Sequence, residues 1–232
     1  MVITTLSLQN FTLIIAGAIN LIMSILVFSR GVKHSKINLY FSLFTFFGFL
    51  WAISLLFSKS LFFGLAAEIS YRTAYLAAIG IAMALFYFSY NFPYKNKNLN
   101  IYYQLFIVSL AIIISVLGYS KVHIIDFYNG ANASNWFVDY YKPFYAFYSL
   151  FFLYIIFSGM YFLISKLKNI DIFLKRQIII FLITFIIGLI IGAYFNLWLP
   201  YMENWRYEFA GPICAVFMNV YVFNLIFPKQ EK

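Results

Sequence analysis

The stretch IIIFLITFIIGLIIG, residues 178–192, decides the fold. Its only polar side chain is Thr184, and apolar residues do not alternate with polar ones along it. A strand of a bacterial outer-membrane barrel shows such alternation over segments of about ten residues. A continuous apolar run instead reads as a helix in lipid, where the helix satisfies its own backbone hydrogen bonds.

This run belongs to a charge-free window, 177–202, and six more windows share the property: 1–29, 37–58, 73–94, 98–120, 143–165 and 209–228. Each holds the roughly 20 residues that a helix needs to cross a hydrocarbon core of about 30 Å. Of the 232 residues 64% are hydrophobic and 10% charged, against about a quarter charged in soluble domains. The charges are confined to the segments between windows, which excludes a soluble globular fold. The expected fold is an all-α seven-transmembrane bundle forming one membrane domain, 1–232. Its spans run approximately over 8–29, 37–58, 69–92, 99–119, 143–165, 176–199 and 207–228.

Alternating loops sort the sixteen basic residues between two faces. One face takes eleven: Arg30, Lys33, Lys36, Lys95, Lys97, Lys166, Lys168, Lys175, Arg176, Lys229 and Lys232. The other takes Lys59, Arg72, Lys121, Lys142 and Arg206. The excess of Lys and Arg marks the cytoplasmic side, so the N-terminus is expected outside and the C-terminus in the cytoplasm. No basic residue precedes Arg30, so the first segment lacks the charged start of a signal peptide and is expected to be retained. The net charge of +9 then reads as topology and attraction to the lipid bilayer, with no nucleic-acid partner.

The loop KVHIIDFYNGANASNWFVDYYK, 121–142, has apolar arms around Asn129-Gly130 and is expected to form a small outer β-hairpin between helices 4 and 5. Ala74, Ala78 and Ala82 recur every fourth residue on helix 3, and Gly188 and Gly192 do so on helix 6. Both stripes read as small faces for close helix packing, within the chain or across a homodimer. Asn20, Asn91, Asn196 and Asn219 are expected to hydrogen-bond between helices.

The inventory of chemistry is thin. No charge stands near the middle of a span, which argues against a proton pump, and windows six and seven have no lysine for a retinal Schiff base. Metalloprotease and phosphate-loop motifs are absent, Cys214 is the only cysteine, and His34 and His123 fall on opposite faces. No catalytic residue, metal site or cofactor is therefore expected, and the chain reads as a non-enzyme. The outer rim alone gathers recognition chemistry. Glu68 and Arg72 are four apart on helix 3 and can pair. Arg206 and Glu208 open helix 7, and Tyr75, Trp136 and Trp205 stand among the surrounding aromatics. These seven residues are the candidate ligand site. Arg72 would bind a carboxylate or phosphate headgroup, and aromatic walls would bury an apolar body.

A set of marks along the chain resembles the N-terminal seven-transmembrane sensory region of bacterial histidine kinases over roughly 8–228. KRQIIIFLITFIIGLIIGAYFNLWLP, 175–200, is similar through Arg176, Gln177, Gly188, Gly192, Asn196 and Pro200. Helix 2 contributes Asn38, Phe41 and Trp51; helix 3 contributes Arg72, Tyr75, Phe86 and Phe92-Pro93. The resemblance implies signal perception in a bacterial inner membrane. Family members continue into cytoplasmic modules with a phospho-acceptor histidine, whereas this chain ends four residues after Pro228. The expectation is a stand-alone sensor module, a membrane adaptor or a cut-out domain, working with a separate cytoplasmic signalling protein or histidine kinase. A transporter or channel subunit and a non-catalytic membrane scaffold are the alternatives.

Overall fold

The apolar runs fold as helices, three of them started by a capping side chain. A computed structural model describes residues 8–32, 35–61, 64–94, 99–129, 136–168, 170–204 and 207–226. The helices are α1 (Leu8–Ser29), α2 (Lys36–Leu56), α3 (Leu65–Asn91), α4 (Ile101–Gly118), α5 (Lys142–Lys166), α6 (Ile172–Ala193) and α7 (Ala210–Ile226). Strands β1 (Ile124–Asn129) and β2 (Trp136–Tyr140) pair antiparallel between α4 and α5, as the loop sequence predicts. Ser35 caps α2, Asn100 caps α4, and Asp171 accepts from the N–H groups of Phe173 and Leu174 at 2.9 Å each. The Asp171 cap starts α6 one turn before the expected boundary at 176.

Two helices continue beyond their apolar core as wider π turns, α2 through Phe57–Leu61 and α6 through Tyr194–Trp198 into a last turn at Leu199–Tyr201. The expected sixth span ends at 199, and the helix continues through Pro200 to Tyr201. Proline has no N–H for the carbonyl four residues back, which is Asn196. The Tyr145 hydroxyl on α5 donates there instead, 3.0 Å from Asn196 O and 3.1 Å from Leu197 O.

Among the described residues, six helices are long and apolar enough to cross a membrane, the sixth running from Ile172 to Tyr201. The expected seventh span is α7, with 17 residues. At about 1.5 Å per residue its described part extends about 25 Å.

Packing centres on α3, the most buried of the six spans. A Cβ on Gly80 would lie 2.4 Å from the Phe47 ring, so α2 and α3 approach closely there. A Cβ on Gly159 would lie 3.3 Å from the Phe86 backbone, which sets α5 against α3. Ser24 and Ser42 donate to each other's carbonyls at 2.9 and 3.0 Å and join α1 to α2. Asn219 Nδ2 donates to Asn20 Oδ1 at 2.7 Å and joins α7 to α1. The other two intramembrane asparagines do not bridge helices as expected: Asn91 and Asn196 donate to Tyr87 O and Gly192 O of their own helices.

The end of α3 opposite the hairpin is held by Lys166. Its ammonium is buried and spends its three donors on Ser89 O (2.8 Å), Tyr90 O (2.8 Å) and Phe92 O (2.7 Å), carbonyls at the end of the helix. A cation there also complements the negative end of the helix dipole.

Candidate ligand cavity

At the hairpin end of α3, Arg72 is 4% exposed and all five of its N–H donors find acceptors within the protein. Nε and Nη2 donate to Glu68 Oε1 at 2.9 and 2.5 Å. Nη1 donates to Gly118 O (3.2 Å) and Ser120 O (2.6 Å), and Nη2 also to Ile124 O (3.0 Å). The i,i+4 pairing with Glu68 follows the spacing. The remaining bonds clamp the end of α4 and the start of β1 to α3. The guanidinium therefore has no donor left for a carboxylate or phosphate, and the expected headgroup role is replaced by a structural one.

Beside this clamp runs a chain of buried polar groups. Lys59 Nζ, on the π turn that follows α2, lies 3.0 Å from Glu208 Oε2. The Tyr71 hydroxyl donates to Glu208 Oε1 at 2.6 Å and lies 2.5 Å from the Tyr140 hydroxyl, which in turn bonds the Tyr75 hydroxyl. Burial, then the Glu208 carboxylate, pushes the Tyr140 hydroxyl well above its ordinary range, so it remains protonated. Tyr148 closes the cluster by donating to Tyr75 O at 3.0 Å.

His123 sits inside this aromatic group with no exposed surface. The Tyr75 ring meets it edge-on at 4.6 Å, and Phe144, Tyr145 and Tyr148 surround it at 5.5–6.0 Å. Neither ring nitrogen has a hydrogen-bond partner among the described residues; Gly118 O is near but short of that geometry. Burial, with the nearby Arg72 charge, lowers its pKa to about 3. The imidazole is neutral.

Below the tyrosine cluster a cavity opens between α2, α3, α5, α6 and α7, with about 950 Å³ free of protein atoms, its mouth included. Small residues form part of its wall: Ala74 and Ala78 on α3, Gly188 and Gly192 on α6, Gly211 and Ala215 on α7. Phe44, Trp51, Phe152 and Phe185 supply apolar wall, and Tyr71, Tyr75, Tyr148, Asn196, Glu208 and Asn219 bring polar groups. This composition, apolar with a few placed polar groups, is that of small-molecule sites.

The small-residue stripes divide between helix packing and the cavity wall. Gly188 does allow close approach, since its Cβ would lie 3.2 Å from Met218 Sδ on α7. Gly192 faces empty space, with nothing within 4 Å of the Cβ position. Ala74 and Ala78 line the cavity, while Ala82 is fully buried.

Of the seven candidate ligand residues, Tyr75 and Glu208 line the cavity, and Glu68 and Arg72 form the clamp beside it. Trp136 lies on β2, with its side chain outside the described residues, and Trp205 and Arg206 are outside them altogether. Sequence reasoning missed the Lys59 partnership, His123, Tyr148 and the cavity position of Asn219. Lys59 lies 149 positions before Glu208, and no local spacing signals that pairing. No family model, characterised protein or solved structure matches this chain.

Proposed function

We propose that the chain is a receptor-like sensory module of a bacterial inner membrane. It takes a mainly apolar small molecule or lipid in the central cavity and passes a helix shift to a cytoplasmic partner. The observation that carries this reading is the cavity itself, bounded by five helices, with open space at Gly192 where a side chain would stand. Its walls unite α2, α3 and α5 with α6 and α7, so an occupant touches both groups of helices at once. To act as a switch, the occupant must prefer one arrangement; shifting a population from 1:99 to 99:1 takes about a 10⁴-fold preference.

The test uses Gly192→Phe, which projects a ring into empty space. A panel of lipids and apolar metabolites is screened by thermal stabilisation of the purified protein. At least one compound should raise the melting temperature of the native chain and leave Gly192→Phe unchanged. The reading is overturned if no compound separates the two proteins, or if the chain instead carries solute flux in proteoliposomes.

A further inference from the structure

Among the described residues, the cavity wall carries one buried side-chain polar atom with neither a hydrogen-bond nor an ion-pair partner, Asn219 Oδ1. Asn20 Nδ2 donates to Ala16 O at 3.1 Å, which fixes its amide so that Oδ1 faces α7. Asn219 Nδ2 donates to that oxygen at 2.7 Å. The orientation of both amides follows, and Asn219 Oδ1 is left buried with no hydrogen-bond partner among the described residues. Gly48 holds the pair in place from below: a Cβ there would lie 3.2 Å from Cγ, Nδ2 and Oδ1 of Asn20. Both Gly48 and Asn219 belong to the cavity wall.

The other deep groups are committed. Tyr71 donates to Glu208 Oε1, Glu208 Oε2 is ion-paired with Lys59 Nζ at 3.0 Å, and Tyr148 donates to a backbone carbonyl. No lysine or arginine lines the cavity among the described residues, so nothing there neutralises a carboxylate or phosphate. Asn219 lies nine residues along α7 from Ala210, about 14 Å from the hairpin end at 1.5 Å per residue. Between the two levels the wall is apolar, with Phe185, Leu189 and Met218 among it.

We propose that the cavity takes an elongated apolar molecule with a hydroxyl at its leading end, donated to Asn219 Oδ1. This inference rests on the cavity being the ligand site. A hydroxyl fits because it donates without carrying a charge into lipid. An ether or hydrocarbon of the same length leaves the acceptor empty.

The test uses the full chain in lipid nanodiscs and two photoreactive probes, a long-chain alkanol with a mid-chain diazirine and its methyl ether. Labelling of cavity peptides is mapped by mass spectrometry and normalised to the exposed face of α4. The alkanol should label the cavity about tenfold more than the ether, the ratio of roughly one net hydrogen bond. Asn219→Leu should erase that preference. Asn219→Asp, protonated in this setting, keeps an acceptor and a donor to Asn20, and should retain it. Equal labelling by both probes, blocked by Gly192→Phe, overturns the hydroxyl inference and leaves the cavity reading standing. Absence of cavity labelling by either probe overturns both.

Discussion

Replacing Arg72 tests whether it is a clamp or a ligand anchor. Arg72→Met removes five donors, takes the side-chain donors from Gly118 O, Ile124 O and the Glu68 carboxylate, and leaves Ser120 O with only the His123 N–H at 3.2 Å. A buried acceptor left unpaired costs about 1–3 kcal/mol. Ser120 and Glu68 are partly exposed and water can reach them, so the full cost falls on the Gly118 and Ile124 carbonyls. The expected loss is about 3–5 kcal/mol on that basis. Arg72→Lys has three donors where five are used, and loses about half as much. The assay is equilibrium unfolding in mixed micelles, paired with hydrogen exchange across residues 117–126. Exchange there should accelerate in both variants, while the end of α3 at Lys166 keeps its protection. A change below about 1 kcal/mol in Arg72→Met, with unchanged exchange, would refute the clamp; one lost hydrogen bond alone is worth that much.

Further expectations follow from single distances. Gly80→Ala drives a methyl against the Phe47 ring and should cost about 1–3 kcal/mol, whereas Gly192→Ala, facing empty space, should be neutral or gain up to about 1 kcal/mol from helix propensity. Thermal unfolding of the two variants side by side checks the contrast. Lys166→Met strands three carbonyls at the end of α3 and should cost about 2–4 kcal/mol, read by urea unfolding in micelles. His123 has a folded pKa lowered from 6.5 to about 3, so the unfolded chain takes up the proton first as the medium is acidified. Stability should be complete above pH 6.5 and fall by about 1.4 kcal/mol per pH unit below it, down to pH 3. Arg72 is the charge that faces the ring, and the Tyr140 hydroxyl beside it stays neutral across that range. His123→Phe should lose this component of the slope, measured as melting temperature between pH 7 and pH 5.

The helices were legible because lipid permits the backbone few solutions, and uninterrupted runs such as 178–192 have only one. Their ends were less so. Asp171 caps α6 from outside the apolar window, and Tyr145 carries the same helix past Pro200 through a bond made 51 residues away. At the site, the Glu68–Arg72 pair could be read from its spacing, since i and i+4 share a helix face. The clamp could not, because its other acceptors are backbone carbonyls 46 to 52 residues on. Gly192 shows a second limit: small-residue spacing reveals a smooth face but not whether a helix or a void lies opposite. Lys166 shows a third. It counts as one more basic residue in a tally of faces, yet its charge is buried against α3.

The two buried cations also divide the molecule mechanically. Arg72 ties one end of α3 to the hairpin, and Lys166 ties the other to the foot of α5, so α3 and α5 behave as a braced post. Lys166 is also the last residue of α5, and α6 begins at Ile172, so the connection between them is a short strap anchored at one end. The start of α6 is thereby tethered within six residues of that anchor, while its far end, at Gly192, borders the open space of the cavity.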